Sequence, residues 1–261
     1  MNKIVSTIAD AIKQCKLQDG MTVSFHHHLR NGDYVLNMVL EEIAKQNIKN
    51  ICIQASALFD CHYPLIDHIK NGTVTRIETN YLNGRLAREI SLGLIKEPVL
   101  FRSHGGRPAA IESGNVHIDV AFIAAPAADP MGNANGRFGE AACGSLGYAI
   151  PDSRFADKVV LITDNVMPYP LYPASIKESD VDFVVAVDKI GDPKGIVSGT
   201  TKMTRDPVSL KIAEYAAKVI EFSGLLKDGF SFQTGAGGAS LAVTKYLKPI
   251  MLKNNIHGSF G

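Results

Sequence analysis

The chain has 261 residues, with 27 Lys and Arg against 26 Asp and Glu, giving a formal net charge of +1 at pH 7. Hydrophobic residues make up 46% and charged residues 20%, which excludes disorder and suits a folded chain able to bury a sizeable core. The cations are scattered, so no basic footprint for nucleic acid exists, and no apolar run approaches the ~20 residues that cross a bilayer.

The N-terminal stretch "MNKIVSTIADAIKQC" is amphipathic and mixes acidic and amide residues with apolar ones, unlike a signal peptide. "MTVSF" reads as a strand, and "DYVLNMVLEEIAKQN" has helical apolar spacing at Val35, Val39, Leu40 and Ile43, with Asp33 as its expected N-cap. "NICIQAS" is the next buried strand, followed by "VTRIET", "PVLFRSH", "HIDVAFIAAP", "KVVLITDN", "DFVVAVDKI" and "FSFQTG", with helical stretches between several of them. "RDPVSLKIAEYAAKVIEFSG" is the clearest helix, with Asp206 as N-cap, Pro207 at the first helical position and Gly224 as the stop. "ASLAVTKYLKPIMLKN" is another, which Pro249 is expected to kink or end. Near-continuous apolar strands alternating with helices imply an α/β fold with a mostly parallel sheet covered on both faces. No repeat, linker or domain boundary is visible, so residues 1–261 read as a single α/β domain. Cys15, Cys52, Cys61 and Cys143 form no CxxC pair and read as reduced thiols of a cytoplasmic protein.

In such a fold ligands bind beyond the carboxyl ends of the strands. The unusual residues gather there: "HHHLRNGD" after the first strand, "SHGGRPAA" after "PVLFR", "ADPMGNANG" after "HIDVAFIAAP" and "QTGAGGAS" after "FSF". Glycines let backbone approach a ligand, and helix N-termini offer N–H donors to anions. Each loop has a plainer alternative. The three histidines cannot all ligate one metal from a strand, because successive side chains point to opposite faces; His26 and His28 share one, and a third ligand would come from elsewhere, such as His104. "GAGGAS" imitates a dinucleotide fingerprint, but Ser240 stands in the third glycine's place and the required acidic residue is missing. "ACGSLGY" lacks a nucleophile elbow, leaving Cys143 a packing residue. "DPMGNANG" lacks the acid spacing of a calcium loop and also reads as a Gly/Asn turn, and Arg107 of "SHGGRP" also reads as a surface charge.

At these same loops the sequence resembles a known family. "VSFHHHLRNGDYVLN", "SHGGRPAAIESGNVHIDVAFIAAPAADPMGNANG", "GIVSGTTKMTRDP" and "FSFQTGAGGASLAVTKYL", in that order, look like the alpha subunit of citrate lyase, the citrate CoA-transferase. The segment "DVAFIAAPAADPMGNANG" is shared more loosely with class I CoA-transferases. The resemblance implies a three-layer α/β/α CoA-transferase superfold and a cytoplasmic transferase inside a lyase complex with a beta (lyase) subunit and an acyl carrier protein. It implies exchange of acetyl for citryl on the carrier's phosphopantetheine thiol, or on CoA, with citrate consumed and acetate released. No cofactor or metal resident in this subunit is expected.

Subunits of this family are considerably longer, so this chain is expected to be the first lobe of a two-lobed subunit. Many class I CoA-transferases use a glutamate that forms an enzyme thioester, and none lies in or after "QTGAGGASLAV". The implied route is a mixed anhydride formed directly between citrate and the acetyl thioester. On that route Gly237 and Gly238 are the expected oxyanion donors. His26, His28, Arg30 and Arg107 are expected to grip the carboxylates as an anion cradle, with His104, Gly235 and Ala236 in the same substrate-binding set. Asn133 and Asn135 are expected to touch substrate or the pantetheine arm. Alternatives are another class I CoA-transferase or acyl-CoA hydrolase using a different acid, and a sugar-phosphate sensor, which would usually carry a DNA-binding segment not found here.

Overall fold

The structure is a computed structural model describing residues 2–196, 202–235 and 237–260. The chain gathers into two compact units, Met1–Val197 and Ser198–Gly261, each with a core of its own. Among the described residues no helix is long and apolar enough to cross a membrane.

The first unit alternates strands and helices: β1 (Ile4–Val5), α1 (Ile8–Gln14), β2 (Thr22–Phe25), α2 (Val35–Lys45), β3 (Ile51–Ala55), α3 (Leu65–Lys70), β4 (Val74–Thr79), α4 (Gly84–Ser91) and β5 (Leu100–Phe101). It continues with α5 (Gly106–Glu112), β6 (Val120–Ala124), β7 (Ala127–Ala128), β8 (Ala134–Asn135), α6 (Ala149–Phe155), β9 (Lys158–Thr163), β10 (Phe183–Ala186) and α7 (Pro193–Ile196). Eight strands form one sheet in the order β1-β10-β9-β6-β2-β3-β4-β5, every neighbouring pair parallel; β7 and β8 form a separate antiparallel pair.

Side-chain alternation along the strands divides the core into two layers. Val120, Phe122 and Ala124 of β6 join Val160 and Ile162 of β9 in a cluster with Ile12 of α1, Leu36 and Leu40 of α2, Leu65 of α3 and Leu86 of α4. Ala121 and Ile123 of β6 point the other way, with Val159 and Leu161 of β9, against Ile111 of α5 and Ala149 of α6. Helices therefore cover both faces of a parallel sheet, the three-layer arrangement expected from the unbroken apolar strands.

Two local expectations in this unit change. Asp33 is not the N-cap of α2, a place held by Tyr34; its Oδ1 still accepts the Val35 amide at 2.9 Å, because the turn before the helix has already placed the carboxylate there. "PVLFRSH" yields only the two-residue edge strand β5, with Leu100 and Phe101 both exposed.

The second unit contains α8 (Pro207–Phe222), β11 (Phe230–Phe232), α9 (Gly238–Lys253) and β12 (Gly258–Phe260). Asp206 caps α8 by accepting the Ser209 amide at 2.7 Å, and Pro207 opens the helix, where a missing N–H costs nothing. Gly224 follows at φ +72°, a left-handed turn that suits glycine. Among the described residues "FSFQTG" does not join the large sheet: β11 pairs in parallel with β12. Pro249 does not end α9, which runs on to Lys253, because Leu247 before it is buried and Met251 after it packs on the same small core.

Candidate active site

The loop after β2 is fixed by close backbone contact. Arg30 takes φ 50° to begin the turn Arg30–Gly32, unusual for a side-chain-bearing residue, and Gly32 then passes so near α7 that an added Cβ would stand 2.4 Å from the Asp192 carbonyl oxygen. The Asp192 amide donates to the Gly32 carbonyl at 2.8 Å, and the Tyr34 amide to Ile190 at 3.0 Å. Below the turn, His62 accepts the Phe59 amide at Nδ1 (3.0 Å), so its Nε2–H donates to the buried Asp33 carboxylate at 3.0 Å.

The histidine run leaves the carboxyl end of β2 and spreads over its neighbours. The Ala124 carbonyl, at the end of β6, can only accept, so His26 Nε2 at 3.0 Å must carry the proton. In the neutral ring Nδ1 of His26 is then an acceptor, taking the His28 amide at 3.3 Å and Nδ1 of His28 at 2.8 Å. His28 is thereby held as its Nδ1–H tautomer, which leaves the lone pair of its Nε2 as an acceptor. His27 turns toward β3, its Nδ1 2.6 Å from Ser56 Oγ. Its ring lies parallel to that of His28 with centroids 5.4 Å apart, edge-on to Tyr148 at 5.0 Å and tilted to His104 at 5.8 Å. The Tyr148 hydroxyl donates to the His104 carbonyl, tying the group together.

These rings are neutral. Burial pushes His26 down to about 4, outweighing Asp33. Burial also pushes His27 and His28 down to about 3, and in each a neighbouring histidine adds to the shift. The cluster therefore offers the lone pair of His28 Nε2 rather than positive charge, the ring N–H groups of His26 and His28 being spent within it. The fixed charge at this loop is the exposed guanidinium of Arg30.

Arg107 stands apart from that role. It is 0% exposed, and its guanidinium is spent on Asp152 at 2.6 and 2.9 Å and on Gln54 through a side-chain and a backbone oxygen at 3.3 and 3.2 Å. Gln54 passes the network to Glu78 at 2.9 Å, and Glu78 to Arg102 at 2.9 Å. This ladder across β3 and β4 is a post supporting the sheet ends, not a rim cation.

Asn133 and Asn135 are likewise engaged internally. Asp129 Oδ1 accepts the amides of Met131, Gly132 and Asn133 at 2.9 to 3.1 Å, and its Oδ2 accepts Asn133 Nδ2 and the Leu171 amide, both at 2.9 Å. Asn135, fully buried, donates to the Pro173 carbonyl at 2.7 Å and accepts the Arg137 amide at 3.0 Å. The "ADPMGNANG" loop is thus a carboxylate-centred knot, which is the turn alternative weighed for it. Burial alone would raise Asp129; the amides of Leu171, Asn133 and Met131 with the Asn133 side chain hold it below the usual carboxylate range.

The glycine-rich loop belongs to the second unit. Gly237 is the N-cap of α9 and Gly238 its first residue, and a Cβ on Gly238 would stand 2.8 Å from the Lys202 carbonyl oxygen. The first intrahelical bond reaches Gly237 from Leu241, so the amides of residues 238–240 lack intrahelical partners, as at any helix start. Gly235 is exposed, and Ala236 lies outside the described residues.

The structure thus brings His26, His28 and His104 together and adds His27, Ser56 and Tyr148. Nothing local in the sequence singles out Tyr148 or Ser56; the cue for His27 was its place in the run. The four cysteines are free, and burial pushes the Cys143 thiol up to about 11, which keeps it protonated as a packing residue should be. Among the described residues His117, Asp119 and Asp157 gather within 4.8 Å of one another at the surface, with Asp119 already accepting the Thr22 amide at 2.7 Å.

Residues 1–261 match the family described as citrate lyase, alpha subunit. The citrate lyase alpha chain of Escherichia coli (strain K12) is 52% identical over 258 residues, which is 99% of this chain and 51% of that one. A solved structure of the alpha subunit of citrate lyase from Streptococcus mutans, in complex with citrate, superimposes with a TM-score of 0.91 at 55% identity, covering 99% of this chain and 51% of that one. An acyl-CoA transferase from E. coli O157:H7 shares the fold at a TM-score of 0.64 and 12% identity, over 99% of this chain and 61% of that one. The chain spans about half the length of the curated relatives it matches. With half its residues identical to those relatives along nearly its whole length, the chain belongs to the citrate lyase alpha subunit family.

Proposed function

We propose that this chain carries part of the active site of a citrate CoA-transferase, working in a complex with a lyase subunit and an acyl carrier protein. The observation that carries this reading is the 55% identity, over 99% of this chain, to a solved alpha subunit that holds citrate. The substrate is a thioester on a phosphopantetheine arm, of the carrier or of CoA, and no resident cofactor takes part.

In the proposed reaction a citrate carboxylate oxygen bonds to the acetyl carbonyl carbon. The C–S bond breaks, the thiolate leaves, and a mixed anhydride remains. The thiolate then attacks the citryl carbonyl of that anhydride, the C–O bond breaks, and acetate departs. Each step passes through a tetrahedral oxyanion, for which the amides at the start of α9, around Gly237 and Gly238, which have no partner within the helix, are the proposed donors. The histidine cluster serves citrate by directional hydrogen bonding. His28 Nε2 accepts the hydroxyl of citrate, the one group of that trianion able to donate, and a neutral imidazole does not repel Arg30. Arg30 supplies the positive charge, while Arg107 and the two asparagines hold the loops in place.

The test is kinetic, on a full-length subunit containing this chain. Direct anhydride formation requires citrate and acetyl thioester bound together, so initial-rate plots intersect. Borohydride after incubation with acetyl thioester alone reduces no glutamate and leaves activity intact. Parallel lines with a reduced glutamate found by mass spectrometry overturn the direct route, because a covalent enzyme thioester lets the first product leave before the second substrate reacts.

A further inference from the structure

Arg30 carries a side chain yet sits at φ 50°, a conformation that persists only where its surroundings outweigh the residue's own preference. Close passage of Gly32 beside the Asp192 carbonyl is one constraint on the Arg30–Gly32 turn. A second turn, Asp60–His62 after β3, is bonded to the same stretch. Cys61 gives it every polar group it has. Its amide donates to Asn31 Oδ1 at 3.1 Å, its thiol to the Arg30 carbonyl at 3.6 Å, and its carbonyl accepts Asn37 Nδ2 of α2 at 2.9 Å. Burial and the Asp33 carboxylate push that thiol up to about 12, so it keeps the proton it donates.

His62 makes the buried bond of the set. It donates Nε2–H to Asp33 Oδ2 at 3.0 Å, a charge-assisted contact out of water, while its Nδ1 is committed to the Phe59 amide. Asp33 is bound on both of its other sides: Oδ1 accepts the Val35 amide at 2.9 Å, and its own amide donates to the Arg30 carbonyl at 3.3 Å. One residue therefore separates the His62 ring from the Arg30 backbone. The second turn is itself anchored, since Asp60 accepts the Arg85 amide at 2.8 Å and its guanidinium at 3.1 Å at the start of α4.

We infer that His62 is a positioning residue: through Asp33 it holds the Arg30 backbone in its left-handed turn and so aims the exposed guanidinium at a substrate carboxylate. The inference rests on the citrate-gripping role proposed for Arg30. A residue released from a left-handed turn relaxes to negative φ, which swings its Cα–Cβ bond and carries the guanidinium off the position where it meets the anion. His62, itself buried, acts only through that backbone.

The test uses two variants of a full-length subunit containing this chain. His62→Gln keeps a donor where Nε2 stands and loses the bond to Phe59; His62→Asn, being shorter, keeps the acceptor for Phe59 and loses the bond to Asp33. Each loses one buried bond, so a merely structural role moves them alike. His62→Asn is expected to raise the citrate KM about tenfold with kcat and the acetyl-thioester KM within about twofold, while His62→Gln stays within about threefold of the parent. Added to Arg30→Ala, His62→Asn should raise the citrate KM no further, because both act through one guanidinium. Amide hydrogen exchange over residues 30–35, read by mass spectrometry, should be about tenfold faster in His62→Asn than in His62→Gln. Equal exchange in the two overturns the inference, as does an equal citrate KM in the two where Arg30→Ala raises it. If Arg30→Ala leaves the citrate KM unchanged, the functional reading fails, and exchange alone decides whether His62 holds the turn. Asp33→Asn, of the same shape without the charge, should move both readouts about threefold; should the His62 variants not fold, no change in Asp33→Asn overturns the inference.

Discussion

Nδ1 of His28 stands 2.8 Å from Nδ1 of His26, and the Ala124 carbonyl on the far side of His26 decides which of the two carries the proton between them. The pair works only while both rings are neutral, since protonating His26 puts an N–H where His28 must donate. With His26 lowered to about 4 and His27 and His28 to about 3, the unfolded chain, at an ordinary ~6.5, takes up protons first as the pH falls. The stability these rings contribute is complete above about 6.5 and is lost progressively from there down to about 3. Imidazole NMR signals of the three should not titrate between pH 8 and pH 5 on that basis, and urea midpoints should fall between about pH 6.5 and pH 4. A histidine signal titrating near 6.5 from any of the three would refute the neutral cluster.

Arg107 is expected to matter for folding more than for substrate affinity. Arg107→Met leaves Asp152 buried and unpaired, which costs about 3–5 kcal/mol, whereas Arg107→Met with Asp152→Leu should cost much less, because no lone charge remains. Urea unfolding of both variants checks this. If the single variant is as stable as the parent, the guanidinium is not a structural post.

Asp129→Asn should loosen the loop over 129–135. Asparagine turns an NH2 group toward amides that now donate to a carboxylate, and leaving such buried donors unmet costs about 1–3 kcal/mol or more. The native carboxylate, held below its ordinary value, contributes stability that is present above about pH 4 and fades as the pH falls through its lowered pKa. The variant's unfolding curve should therefore approach the parent's in strong acid and depart from it near neutrality; a constant gap across pH would contradict this.

Arg30→Ala separates the two substrates. In a full-length subunit it should raise the citrate KM roughly tenfold or more, the worth of a charge-assisted contact, and leave the acetyl-thioester KM nearly unchanged. Equal effects on both substrates remove Arg30 from the citrate site. Raised salt should reproduce part of the defect in the parent enzyme, since an exposed cation is screened.

Gly32→Ala tests the clamp under the histidine loop. Its Cβ has no room beside the Asp192 carbonyl, so the turn must move and stability should fall by about 1–3 kcal/mol. Gly20→Ala has open space but a φ of +84°, so it should carry only the backbone penalty of about 1 kcal/mol. Thermal melts of the pair distinguish crowding from backbone strain.

The sequence by itself determined what depends on neighbours a few residues away. The apolar run of "NICIQAS", the cap and stop of "RDPVSLKIAEYAAKVIEFSG" and the gathering of glycines and histidines at strand ends all rest on local periodicity and turn chemistry, and they stand in the structure as β3, α8 and the loops after β2, β6 and β11. What only the tertiary structure decided is which polar groups are already spent. Arg107 follows a Gly-Gly pair that reads as an exposed turn, yet it lies in α5, where Asp152, 45 residues on, pairs with its buried guanidinium. The protons of the histidine run are assigned by a carbonyl 98 residues away, and Tyr148 enters the cluster through a bond to a residue 44 positions before it. A hydrogen bond reports the geometry at its two ends alone, and a parallel sheet brings distant ends together through crossovers whose packing no local pattern records.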